Sequence, residues 1–182
     1  MAIITGISGL DTVMANLNKE IRQIENRSAK GLIEAAALIR RDTEKSPPLT
    51  PVDLGNLRAS WFCATASGTT SDPSGESGNF KRGRKGRSHR SQSFISRMRK
   101  DYGAVKSQSI SEARGLENSE KGKFVVTGYS AFYAAPVHEM MERNPGVVWS
   151  RPGSGGKWFQ AAIYRNRDNI VKIIRENAKL KK

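Results

Sequence analysis

Two histidines, one cysteine and a run of cations are the side chains of this 182-residue chain whose type and spacing could do chemistry. His138-Glu139-Met140-Met141-Glu142 has the outline of a helical zinc site, but such a site needs a second imidazole at i+4, and Glu142 stands there. His138 therefore reads as a partly exposed helix or interface histidine, and His89 as part of the cationic run that surrounds it. Cys63, or any serine, would need one of these histidines brought across the fold as its base. No nucleophile elbow is written locally, and Gly153-Ser154-Gly155-Gly156 lacks the Lys-Ser/Thr pair that holds phosphate and metal. Glu139 and Glu142 have the spacing of an ordinary i, i+3 helix pair. The expectation is a non-enzyme with no metal and no cofactor, and a small hydrolase built on His138 and Glu139 ranks third among three functional readings.

The cationic run is the strong feature. Residues 81–100 hold nine Lys or Arg and no acid: Lys81, Arg82, Arg84, Lys85, Arg87, Arg90, Arg97, Arg99 and Lys100. Spaced by Gly and Ser, with Phe80 and Phe94 at its edges, this run could follow a phosphate backbone in a salt-dependent, sequence-blind way. Aromatics for base stacking are sparse and no recognition helix or zinc module is visible, so docking on an acidic protein neighbour ranks above nucleic acid. The whole chain carries a formal charge of +14, from 31 Lys and Arg against 17 Asp and Glu. Basic and acidic residues nearly balance over 1–64, at 8 against 7; the excess lies in 65–121, at 12 against 6, and in 122–182, at 11 against 4. A single cysteine excludes an intramolecular disulfide framework and fits a reducing compartment. No signal-peptide pattern opens the chain and no stretch of about 18 apolar residues occurs, so neither export nor a membrane partner is expected.

Stepping along the chain gives the elements that must position these groups. Over residues 9–45, Leu10, Met14, Leu17, Ile21, Ile24, Ser28, Gly31, Ala35 and Leu38 alternate steps of 4 and 3, which predicts one long helix with a heptad seam. Ser8 with Asp11 suggests its cap and Pro47-Pro48 its stop. Ser28 and Gly31 weaken the middle of the seam and point to a kink or a close helix approach there. Residues 47–55 form an ordered turn, and 57–65, with Ala59, Trp61 and Cys63 alternating, predict a strand. Its partner is predicted at 123–128, ended by glycine. Residues 65–121 contain 19 Gly or Ser and 11 hydrophobics, and read as an inserted arm or long loop whose short helices form against a partner. A helix over 131–142 with Pro136 in its first turn, a short strand at 147–149, and an amphipathic helix from about 157 complete the chain. The fold expected is a single α+β domain over 1–182: long N-terminal helix, small antiparallel β-sheet, C-terminal helix and a basic insertion at 65–121.

Three pieces in fixed order resemble a known family. They are residues 7–17 leading into the long helix, Pro51-Val52-Asp53-Leu54-Gly55-Asn56-Leu57-Arg58-Ala59-Ser60 before the first strand, and Tyr133-Ala134-Ala135-Pro136-Val137-His138-Glu139 followed by Lys157-Trp158-Phe159-Gln160-Ala161-Ala162. The pattern is similar to the tailed-bacteriophage minor structural proteins called tail-completion, neck or head-tail joining proteins, and it covers 1–64 and 122–182 without the basic insertion. Leu54, Met140-Met141 and the length of the insertion depart from it. The resemblance implies a virion protein of the neck, assembled in the host cytoplasm as a homo-oligomeric ring, commonly sixfold with a dodecamer as the variant. Its implied partners are connector or head-completion proteins, tail tube or terminator proteins, and DNA in the channel. From the residues themselves, Asp53 suits an Asx-type turn, Gly55 a positive φ, Leu57 the core, and Arg58 an acid or a partner. Tyr133 and Val137 share a helix face, Glu139 follows them, and Phe159 covers the sheet.

Overall fold

The computed structural model describes residues 10–83, 89–120, 122–140 and 149–179. The heptad-spaced residues form one unbroken helix, α1 (Leu10–Lys45); the cap expected at Ser8 lies outside the described residues. A single helical turn, α2 (Asn56–Ala59), precedes β1 (Trp61–Thr65). The strand expected over 57–65 is thus shorter by one turn, because Gly55 sits at φ 80° and starts a helical turn whose Ser60 hydroxyl then bonds Leu57 O at 2.7 Å. A tight hairpin leads to β2 (Gly68–Thr69), and β3 (Val125–Tyr129) pairs with β1 on the other side, giving the antiparallel order β2-β1-β3. Trp61 faces Tyr129 and Thr65 faces Val125 in the register.

The insertion is the main departure from expectation. Its second half is one continuous helix, α3 (Gln92–Ser119), capped by Ser91, whose Oγ accepts from Phe94 N at 3.1 Å. It packs on β1 and β3, burying Ile95, Met98, Ser109 and Ala113. Two of these four are small, so a count of large apolar residues understates how well the helix is held: it lies close to the sheet instead of wedging bulk against it. The first half is ordered locally: the Asp72 carboxylate accepts from Ser74 N, Ser74 Oγ, Ser77 N and Ser77 Oγ. α1 covers one face of the sheet, around Ala36, Trp61, Cys63, Val125 and Tyr129, and α3 covers the other, around Phe80, Ile95 and Met98.

After β3 comes α4 (Ala134–Glu139), shorter than the helix expected over 131–142: residues 131–133 form a turn before it, its backbone turns extended at Met140, and 141–142 fall outside the described residues. Of the strand expected at 147–149 only Trp149 is described, and it is not in a strand. The C-terminal helix is two, α5 (Trp158–Arg165) and α6 (Arg167–Ala178). They meet at buried Asn166, whose amide donates to Ala162 O at 2.9 Å and so takes up a carbonyl at the break. α6 runs back along α1. Arg165 donates to Asp42 at 2.7 Å at one end, and at the other Gly31 lets Ile174 approach so closely that a Cβ would lie 3.0 Å from its Cα. The close approach expected near Gly31 is thus the α1–α6 contact.

The corner between α1 and the sheet is held by charge. Arg40 is 1% exposed; it donates to Glu44 at 2.7 Å and to Glu76 at 3.4 Å, and lies 3.8 Å from Asp72. Arg58 donates to Glu76 at 2.6 Å, and Arg151 to Glu44 at 2.7 Å and to its carbonyl at 2.8 Å. Removing one member of a buried ion set leaves the others unpaired, so Arg40→Ala is expected to lower unfolding free energy by about 3–5 kcal/mol in urea denaturation. Burial opposes ionisation of Asp72, but the bonds from Ser74 and Ser77 and the charge of Arg40 outweigh it and hold the carboxyl below its ordinary value of 3.8. The stability this adds is complete above about pH 4 and fades as pH falls further. Asp72→Asn should therefore flatten the acid limb of a stability-against-pH curve, and an unchanged limb would show that Asp72 does not shape it.

Candidate functional site

The motif residues gather at one corner. Asp53 does not close an Asx turn; its Oδ2 accepts from Arg90 at 2.7 Å. The turn beside it is fixed instead by Asn56, whose amide oxygen accepts from Lys81 N at 2.6 Å while its nitrogen donates to Lys81 O at 2.9 Å. That paired bond ties the start of the cationic run to the domain. Gly55 has the left-handed backbone expected of it. Leu57 is buried in the core beside Ala134 and Trp158, with Tyr133, Val137 and Phe159 packed partly buried around them. Arg58 meets Glu76 and Glu44.

Of the cationic run, Arg84, Lys85 and Arg87 lie outside the described residues. Arg82 and Arg90 close a loop, Arg90 N donating to Arg82 O at 2.7 Å. Arg90 stands over the Phe94 ring at 5.4 Å and Arg97 over the Phe132 ring at 3.9 Å. Phe94 in turn stacks on Tyr133 at 5.9 Å and meets Phe132 edge-on at 5.5 Å. The aromatic side of the basic surface therefore comes from Phe132 and Tyr133, some forty residues on in sequence, where spacing within the run gives no sign of it. Arg97 also lies 3.5 Å from Asp101. Among the described residues, Lys81, Arg82, Arg99 and Lys100 are exposed and have no carboxylate within salt-bridge reach.

His138 and Glu139 do meet: Nδ1 lies 2.9 Å from Glu139 Oε1, and Lys157 donates to the other carboxylate oxygen. The bonds from Lys157 first and His138 second keep the Glu139 carboxyl below its ordinary range. The imidazole lies edge-on to Trp158 at 4.8 Å in a pocket of about 230 Å³ that Tyr129, Ala134 and Phe159 complete. Among the described residues no serine, threonine or cysteine lines this pocket, so none of them gives the pair a nucleophile to activate there. Cys63 is wholly buried against α1, and burial raises its thiol above the ordinary value. Among the described residues no group of three or more His, Cys, Asp or Glu could hold a metal, and no helix is long and apolar enough to cross a membrane.

Sequence reasoning missed the apolar surface of α1. Every residue from Thr12 to Arg22 is exposed, so α1 runs beyond the body for three turns. Val13, Met14, Leu17 and Ile21 fall on one stripe of that overhang and are 44–63% exposed. On the body, Ile163 and Tyr164 on α5, Val171 on α6 and Phe132 are also exposed. The signal was present, since the seam starts at Leu10 while burial along α1 begins only after Arg22.

Burial raises the Tyr133 phenol to about 12, with Arg90 acting in the opposite sense and Asp53 adding to the rise. Folding thus favours the neutral phenol; that stability is present below about pH 10 and is lost as pH climbs toward 12. Tyr133→Phe should lessen the alkaline loss of stability over this window in thermal melts at stepped pH, and an unchanged loss would contradict the burial assigned to the hydroxyl.

No family model, no curated protein and no solved structure matches this chain.

Proposed function

We propose that the chain is a non-enzymatic structural subunit that closes into a homo-oligomeric ring, and that the ring belongs to the neck of a tailed-phage virion, where it completes the tail and helps join it to the head. The observation that carries the ring is the exposed apolar stripe on the α1 overhang, with further exposed apolar side chains on α5 and α6 of the body to receive it. A stripe of two heptads is too short for a stable coiled coil alone. Two different surfaces on one chain, each fitting the other on the next copy, make a heterologous contact that closes when the rotation per subunit allows it. The virion setting rests on the sequence resemblance to the neck proteins of the segments that carry Asp53, Leu57, Tyr133 and Phe159. Connector and tail proteins are then the neighbours above and below the ring.

Leu17 is 52% exposed, so Leu17→Glu should leave the fold within about 0.5 kcal/mol of the parent while breaking the contact between copies. In a phage lacking this gene, electron microscopy of lysates is expected to show DNA-filled heads beside unattached tails, rescued by the parent gene and not by Leu17→Glu. Normal virions without the gene would overturn the reading.

Sequence-independent nucleic-acid binding is a second reading, favoured by the exposed cations beside Phe132. Deleting residues 80–100 would strip Phe80, Ile95 and Met98 from the core, so charge reversal is the cleaner variant. If the reading holds, Arg82→Glu with Arg99→Glu and Lys100→Glu lowers the slope of log affinity against log salt on duplex DNA by about 2.7, at roughly 0.9 per phosphate contact. An unchanged slope removes it.

A further inference from the structure

β3 is an edge strand whose outer side is open among the described residues. Ser130 N donates to Ser60 O at 2.9 Å, which sets the alternation of the antiparallel ladder: Gly128 and Val126 turn their main-chain groups to β1, while Val125, Thr127 and Tyr129 turn theirs outward. Among the described residues no main-chain or side-chain group bonds to those outward N–H and C=O groups. The opposite edge of β1 is covered, since Gly78 N bonds Ala59 O and Ser77 Oγ bonds Trp61 O. Edge strands are commonly guarded by charge or proline, yet residues 124–135 contain neither. Beside the Gly128–Tyr129 end lies the apolar pocket of about 230 Å³ floored by Trp158 and Phe159. Trp158 is 1% exposed and its indole N–H has no acceptor among the described residues. An open ladder flanked by a side-chain pocket is the arrangement that takes an added strand.

The amino-terminal segment of a second copy fits this place. Ile3, Ile4 and Thr5 are three β-branched residues in succession, with Ile7 following at the alternate position, a pattern suited to an extended strand. The chain's own segment cannot reach. The start of β3 lies level with Asn26 and Ala29 of α1, which share a pocket with Lys123 and Phe124, and the strand runs from there away from Leu10 toward Thr43. Leu10 is about 28 Å along the helix from Ala29 at 1.5 Å per residue. The three steps from Ile7 to Leu10 span only about 10 Å even when extended. The overhang of α1 instead extends away from the chain's own β3.

We infer that the outer edge of β3 receives residues 3–7 of a neighbouring copy as a fourth strand, with one isoleucine side chain in the pocket over Trp158. Three N–H and three C=O groups of β3 gain partners, and an incoming carbonyl gives the Trp158 indole its acceptor. This inference rests on the ring reading for its second copy, and its test separates the two.

A labelled peptide of residues 2–9 is titrated, by fluorescence anisotropy, against the chain lacking residues 2–8. Binding is expected, and it should weaken at least tenfold when Thr127→Pro is added. That proline removes an outward N–H and leaves the ladder to β1 paired. In the full chain, amide exchange at Thr127 and Tyr129 should be slow and should quicken when residues 2–8 are deleted. A peptide that fails to bind, or protection that persists without residues 2–8, overturns the inference even where the full chain assembles. A full chain that sediments as a monomer counts against the ring, and peptide binding still decides the strand.

Discussion

A guanidinium buried at 1% exposure has to be surrounded by acid, and much of this fold is the consequence of doing so for Arg40. Removing such an ion from water costs several kcal/mol, which only close and well-bonded partners offset. Glu44 comes from the same helix, Asp72 and Glu76 from the loop after β2, and Arg58 and Arg151 return the balance to three cations and three anions. The end of α1, the α2 turn, the loop at 72–77 and the turn at Arg151 are thereby fixed to one another. Tyr129 adds a hydroxyl contact to Thr43 at 3.1 Å from the strand side. With that corner fixed, α1 and α3 can sandwich a sheet of only three strands.

Much of this architecture is legible in the sequence where periodicity is strong. The seam from Leu10 to Leu38, the alternation around Trp61 and Cys63, and the apolar face after Lys157 correspond to α1, β1 and α5–α6, and the α+β class follows from their order. The insertion was not legible, because Ser109 and Ala113 pack as well as larger residues when a helix lies close to a sheet, while composition counts Ser109 as polar and gives Ala113 little apolar area. The break at Asn166 was hidden for a related reason: one buried amide satisfies the backbone there, and an amphipathic pattern runs through it unchanged.

The interaction surfaces were legible only in part. The cations of the run are plain in sequence, while their aromatic floor depends on Phe132 and Tyr133 arriving from another segment. Arg40 and its acids carry no mark in the sequence, since nothing in a one-dimensional pattern says which arginine is buried. Among the described residues the resulting molecule has a buried thiol, a histidine–glutamate pair without a nucleophile beside it, and three surfaces of contact character: an apolar overhang, an open strand edge and a basic face floored by aromatics. A ring subunit is the reading that uses all three, because each supplies contact area and none requires a substrate. A contact surface there also gives a reason for α1 to run past the body it packs on, as its residues from Thr12 to Arg22 contribute nothing to the domain's own core.

Native mass spectrometry of the full chain at micromolar concentration, in low salt and then at raised salt, tests the central claim most directly. The account predicts one closed oligomer of fixed stoichiometry that persists as salt rises, because apolar area and strand pairing hold it. A monomer at every concentration, or an open ladder of sizes that dissolves with salt, would contradict it.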